Sequence, residues 1–227
     1  MKSKLQSLLT KIVHQDILHA KWINTLSYLE NCGAKKIAAC QHPTLVKEEM
    51  LKHAAEEFRH SHYLKHQIQK VSKGPFDDYS LPLLLGGVCS LNYLNALDIY
   101  ASRFLIQKVG LSKTEVKKIA YLLVTYAIEL RAESLYPIYH EVLRSHKSKV
   151  FVKSIILEEE EHLNEMKEGL KTLPSGFIYA QKICAFEEIL FKKWIQAIEF
   201  DIQNPQDIPN PVQEVCFLKN CPSEYPL

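Results

Sequence analysis

Two E-x-x-H tetrads stand out in the chain, Glu57-Phe58-Arg59-His60 and Glu159-Glu160-Glu161-His162. Three residues apart on a helix, a carboxylate and an imidazole share one face with their Cβ atoms about 5–6 Å apart, close enough to serve one metal ion. A single tetrad is weak evidence, because 20 glutamates and 10 histidines in 227 residues yield about one by chance. Order is the stronger signal. A two-metal centre inside a helical bundle takes a lone Glu, a Glu-x-x-His, a second lone Glu and a second Glu-x-x-His, each from its own helix. Glu30 precedes the first tetrad, and Glu129 and Glu133 precede the second, so the order is met.

Those residues need helices to hold them, and breakers divide the chain accordingly. A first helix is expected over about Lys4–Gln41, where Leu5, Leu8, Leu9, Ile12 and Val13 follow a 3.6-residue rhythm. His42-Pro43 ends it, and Pro43 suits the first turn of a second helix running to about Val71. A nearly apolar third helix covers about Leu83–Val109. Ser112 with Glu115 forms a capping box that opens a fourth, to about Ser145, with Pro137 expected to kink it. A fifth helix spans about Lys149–Leu173 and a sixth about Phe177–Gln203. No stretch alternates with the period of a strand, so the fold class is all-α: one helical domain over residues 1–203, then a proline-bearing tail over 204–227.

Leg lengths test which acids can meet. Glu30 lies 12 residues before His42 and Glu57 lies 14 after Pro43, legs of about 18 and 21 Å, so an antiparallel hairpin brings them to similar depth. With the second turn near Lys147, Glu133 gives legs of 14 and 12 residues, whereas Glu129 gives 18 and 12, a mismatch of about 9 Å. Simple spacing favours Glu133. Glu129 stays open, because Pro137 and an irregular turn can absorb part of the difference.

Composition narrows the class without naming a substrate. With 47% hydrophobic and 24% charged residues, disordered and fibrous classes are excluded. A net charge of +2 does not announce a nucleic-acid binder, although Lys35, Lys36, Lys65, Lys70, Lys73, Lys113, Lys117 and Lys118 could assemble a basic patch. The apolar run Leu81–Leu97 is too short and too rich in Gly and Asn for a membrane span, and no secretory signal is evident at the start. Six cysteines are scattered without a C-x-x-C pair, which fits reduced thiols and a cytoplasmic location; Cys216 and Cys221, in the tail, are read as ordinary thiols.

From Glu30 to about Leu170 the layout resembles the ferritin-like di-iron carboxylate superfamily. AAEEFRH (Ala54–His60) and AIELRAES (Ala127–Ser134) are similar to the tRNA-modifying di-iron hydroxylases, and Ile128–Asn164 is similar to the aldehyde-deformylating oxygenases. In both families the glutamate matching Glu129 is a metal ligand, against the leg-length argument, and the motif match carries more weight. The resemblance implies a ferritin-like four-helix bundle with two additional helices, a crossover helix and a C-terminal one. It implies two iron ions, or manganese and iron, bound by Glu30, Glu57, His60, Glu129, Glu159 and His162, with Glu57 and Glu159 bridging. Glu133 is a candidate additional ligand, since rubrerythrin-like members carry an extra carboxylate on this helix. His53, Tyr126 and Tyr136 are candidates for supporting groups around the metals, with Tyr139 and Arg131 nearby by helical spacing. The implied activity is that of an oxygen-dependent oxidoreductase, a hydroxylase or oxygenase on an organic substrate. Its partners would be dioxygen, that substrate and an external electron donor, since no rubredoxin-type cysteine cluster or flavin motif is visible. Alternatives are a hydroxylase acting on tRNA, a ferroxidase or peroxidase of rubrerythrin type, and a metal-free structural bundle; a homodimer is the candidate assembly.

Overall fold

The computed structural model of the chain describes residues 2–42 and 44–204. Pro43, the tail and its two cysteines lie outside the described residues. Within them all regular structure is helical: α1 (Lys2–Val13), α2 (Asp16–Cys40), α3 (Glu48–Ile68), α4 (Gly87–Phe104), α5 (Lys113–Ser145), α6 (Lys153–Lys171) and α7 (Gly176–Gln203). A 3₁₀ turn at Leu81–Leu83 precedes α4 and a π turn at Leu105–Val109 follows it.

Two expected helices are divided. The first breaks at His14-Gln15, where Gln15 is extended at φ −124° and ψ 110°. The stripe Leu5, Leu8, Leu9, Ile12 reaches polar Gln15 and Asp16 at its next turn, so a continuous helix would bury them. Instead α1 turns off to pack on α5, and α2 restarts with Asp16 in its first turn, where a carboxylate complements the exposed N–H groups. Leu9 and Ile12 are fully buried, each contributing roughly 1.5–3 kcal/mol to that docking. The third helix starts only at Gly87, because Gly86 and Gly87 both adopt positive φ and turn the chain into α4. Pro137 lies inside α5 without ending it, and the Ser112–Glu115 capping box forms as expected.

Three antiparallel pairs follow. In α2 and α3, Lys65 Nζ donates to Asn24 Oδ1 (2.7 Å) and Ser27 Oγ donates to the Ser61 carbonyl (2.7 Å), so positions climb on one helix as they descend on the other. Continuing that register brings Glu30 level with Glu57. In α4 and α7, Trp194 Nε1 donates to Ser90 Oγ (2.7 Å) and the Tyr93 hydroxyl donates to Glu187. In α5 and α6, Leu122 faces Gly169, and Glu129 lies level with His162.

This last register explains the leg-length mismatch. Lys147, at φ 51°, closes α5 in a Schellman arrangement in which Ser148 N–H donates to the Leu143 carbonyl (2.9 Å) and Lys147 N–H to the Arg144 carbonyl (3.1 Å). The segment that follows runs back along the bundle before α6 begins. Val150 and Val152 are buried in it, and Phe151 N–H donates to Gln67 Oε1 at 3.1 Å. Non-helical residues cover about twice the length of helical ones, so this descent makes up the distance that twelve helical residues would leave short. Around these pairs, Trp22 stacks on Trp194 with ring centres 5.5 Å apart, and Tyr139 meets Trp22 edge-on.

Candidate metal centre

The four helices α2, α3, α5 and α6 each aim acids or histidines at one buried place. Two groups of donors form there, each with one atom per residue lying within 4.8 Å of the others: His53, Glu57, Glu129 and His162, and Glu30, Glu57, His60 and Glu159. The six ligands implied by the resemblance are all in the cluster, together with His53. Glu57 Oε1 lies 3.3 Å from His53 Nε2 and 3.5 Å from His162 Nδ1, while its Oε2 is on the side of His60 Nδ1, at 4.0 Å. Glu159 divides in the same way, with Oε1 3.1 Å from His60 Nδ1 and Oε2 3.8 Å from His162 Nδ1.

The far nitrogen of each tetrad histidine is held from the opposite helix. His60 Nε2 donates to Glu158 (2.8 Å) and His162 Nε2 donates to Glu56 (2.9 Å), which leaves both Nδ1 atoms facing the cluster. Glu158 is itself gripped by Arg59 through two bonds of 3.0 and 2.7 Å. The run Glu158–Glu161 therefore divides its labour: Glu158 braces His60, Glu159 faces inward, Glu160 is exposed and Glu161 pairs with Lys52.

Four buried atoms of the cluster have no hydrogen-bond partner: His60 Nδ1, His162 Nδ1, Glu129 Oε2 and Glu159 Oε1. His60 Nδ1 and Glu159 Oε1 lie 3.1 Å apart without forming a hydrogen bond. An orphaned buried polar atom costs on the order of 1–3 kcal/mol, and four in one place with a paired outer shell are the donor set that a divalent cation satisfies. Carboxylates and imidazoles together suit manganese and iron, so the residues fit a pair of such ions.

The charges are correspondingly frustrated. Burial, reinforced by the neighbouring carboxylates, pushes Glu30 and Glu129 well above the usual range and Glu57 up to about 7. Burial also opposes the charge on Glu159, but its contacts with Glu129, His162 and His60 outweigh it and hold this carboxyl low. Burial disfavours imidazolium at His60 and His162, yet facing carboxylates win and raise them to about 10 and 9. His53 goes the other way, lowered to about 4 by burial and by His162 beside it. Divalent cations binding here would displace protons from this set.

The remaining candidates are scattered. Tyr136 is buried and its hydroxyl donates to Glu30. Tyr139 instead bonds His19 (2.7 Å), and Tyr126 packs among Leu97, Leu123 and Ile183 beside Cys184, outside both donor groups. Glu133 is exposed and outside both donor groups. Arg131 supports no ligand carboxylate; it forks onto Glu187 (2.8 and 2.7 Å) and Glu188 (2.6 Å) while lying over the Phe191 ring. Of the lysines considered for a basic patch, Lys36 pairs with Asp98 and Lys65 is engaged by Asn24 and the carbonyls of Phe76 and Asp78. Glu56 and Glu158 went unread in the sequence, although a signal was present: both tetrads are preceded by a further glutamate, giving E-E-x-x-H twice.

A cavity of about 110 Å³ lies against one side of the cluster. Its wall is chiefly apolar, with Leu26, Leu29, Leu94, Val124, Ile128 and Leu135, and it meets Glu30, Glu57, Glu129 and Glu159. Helix α4 contributes Tyr93, Leu94 and Asp98 to this lining. Among the described residues no helix is long and apolar enough to cross a membrane. Set against known proteins, the chain matches no family model, no curated protein and no solved structure.

Proposed function

We propose that α2, α3, α5 and α6 form a ferritin-like four-helix bundle holding two iron ions, or manganese and iron, and that the chain is an oxygen-dependent oxidoreductase acting on an organic substrate. The observation that carries this reading is a shared wall: the carboxylates of Glu30, Glu57, Glu129 and Glu159 line the apolar cavity. When bound, such a metal pair supplies electrons to dioxygen and an oxidant to whatever lies beside it.

The chain's own residues do the rest. Glu57 and Glu159 turn one oxygen toward each donor group, the disposition of bridging carboxylates. Glu56 and Glu158 orient the imidazoles, and Tyr136 holds Glu30 by a hydrogen bond, fixing how that carboxylate is presented. Leu26, Leu94, Val124 and Leu135 keep water away and receive the apolar part of a substrate. That lining supports an organic substrate over iron itself, as in a ferroxidase. The electron donor is a separate molecule.

The test is metal content after expression in iron-replete medium, for the wild type and for the double variant His60→Ala/His162→Ala. About two ions per chain, lost in a double variant that remains helical, is the expected result. A folded wild-type protein with almost no metal overturns the reading.

A further inference from the structure

The two donor groups are related by an approximate exchange of α2–α3 with α5–α6. Glu30 corresponds to Glu129, each tetrad to the other, and Glu56 to Glu158. His53 breaks that exchange. It stands one turn before Glu57, and the residue in the same place before Glu159 is Ile155, a buried apolar side chain. His53 is itself 1% exposed, and its ring packs against that of His162 with centres 4.0 Å apart. Its Nε2 lies 3.1 Å from Glu129 Oε1 and 3.3 Å from Glu57 Oε1, between two ligand carboxylates. Its other nitrogen faces the Tyr121 hydroxyl at 3.4 Å.

Resting on the two-metal reading, we infer that the two metal positions are chemically unequal, because His53 is a direct ligand of one of them. The position made by His53, His162, Glu57 and Glu129 holds two imidazoles, with one oxygen of the bridging Glu159 also turned toward it. The position made by Glu30, Glu57, His60 and Glu159 holds one imidazole and three carboxylates. Imidazole favours the later, softer divalent ions, whereas carboxylate-rich sites suit manganese. The first position therefore prefers Fe(II) or Co(II), the second accepts Mn(II), and the protein assembles a mixed pair when both kinds of ion are offered. Tyr136 adds to the contrast, since its hydroxyl donates to Glu30 at the second position only.

The experiment uses the full chain stripped of metal and titrated with Co(II) alone, Mn(II) alone and an equimolar mixture, followed by calorimetry, Co(II) absorption and Mn(II) electron paramagnetic resonance. The wild type is expected to bind Co(II) in two steps of different affinity and, offered one equivalent of each ion per chain, to take one of each kind. His53→Gln keeps an N–H that can reach Glu129 but removes the imidazole ligand. It should weaken one Co(II) step by well over about 100-fold, beyond the cost of losing an outer partner, change the Co(II) absorption of that position, leave the other step in place and abolish the preference for a mixed pair. Thermal unfolding of the variant checks that it is folded; if it is not, His53→Asn is measured in its place. Two equal Co(II) steps in the wild type, or a loss no larger than about 100-fold in the folded variant, make His53 an outer hydrogen-bonding partner and overturn the inference. A wild type that binds neither ion fails at an earlier point and overturns the two-metal reading itself.

Discussion

Glu158 on α6 accepts a hydrogen bond from His60 on α3, and Glu56 on α3 returns the same bond to His162 on α6. Each tetrad is thus completed by the residue one place ahead of the other. The crossing puts the protons on the outward nitrogens and sets both ring planes, so the inner donors face the cluster without a rotamer search.

Removing either brace should weaken metal binding more than it weakens the fold. Glu56→Gln and Glu158→Gln are each expected to lower Mn(II) or Co(II) affinity by about 10–100-fold, read by calorimetry, with helix content unchanged. Glu158 also holds Arg59 through two bonds, so its variant frees a cation as well as an imidazole. Unchanged affinity in both variants would show that the imidazoles need no orientation.

How the sequence relates to this site is clearest at α5. The fold class was readable because apolar spacing and breakers are local properties, and the ordered tetrads pointed to the cluster. The choice between Glu129 and Glu133 was not readable from leg lengths, since the returning segment around Val150 and Val152 is fixed by tertiary burial. His53 was legible as a histidine seven residues before His60 but not as a member of a donor group, because that depends on which way α5 and α6 face. The break before α2 had a visible cause in Gln15 and Asp16, yet without Gly or Pro it gave no conventional stop signal.

The apolar cavity should take up an apolar probe. Xenon is expected to bind saturably, seen as a concentration-dependent shift of its ¹²⁹Xe resonance, because a cavity of about 110 Å³ with this lining attracts small apolar guests. Ala132→Leu places extra methyl groups in the lining and should abolish the shift while leaving metal content intact. Xenon binding that survives this variant would locate the guest elsewhere.

Gly86 is a position where a single methyl group should be damaging. Its φ is +79°, and a Cβ there would stand 2.8 Å from Trp194 Cδ1 and from Ser90 Oγ. Gly86→Ala combines left-handed strain with overpacking against a buried indole and should cost about 2–4 kcal/mol in urea unfolding. Gly87→Ala, also at positive φ but with nothing within 4 Å, should cost only the backbone strain, about 1 kcal/mol.

His19 should give the fold an acid-side weakness independent of metal. Burial, only partly offset by Asp16, lowers its pKa to about 4 from 6.5, so the unfolded chain binds a proton there that the folded chain refuses. Stability from this residue is complete above pH 6.5 and is lost as pH falls toward 4, in all roughly 3 kcal/mol. In the presence of chelator, the difference in unfolding free energy between wild type and His19→Gln should shrink by that amount over this window. A difference independent of pH would mean that His19 titrates alike in both states.

The crossed bracing also has a consequence in time. A ribosome delivers α3 long before α6, and until α6 arrives His60 has no counterpart to hold its ring, while Glu56 has no imidazole to hold. Neither half-site can be finished by its own hairpin. Each donor group therefore exists only late in the life of the polypeptide, and any ion held there would be admitted only to a chain whose two halves have already met.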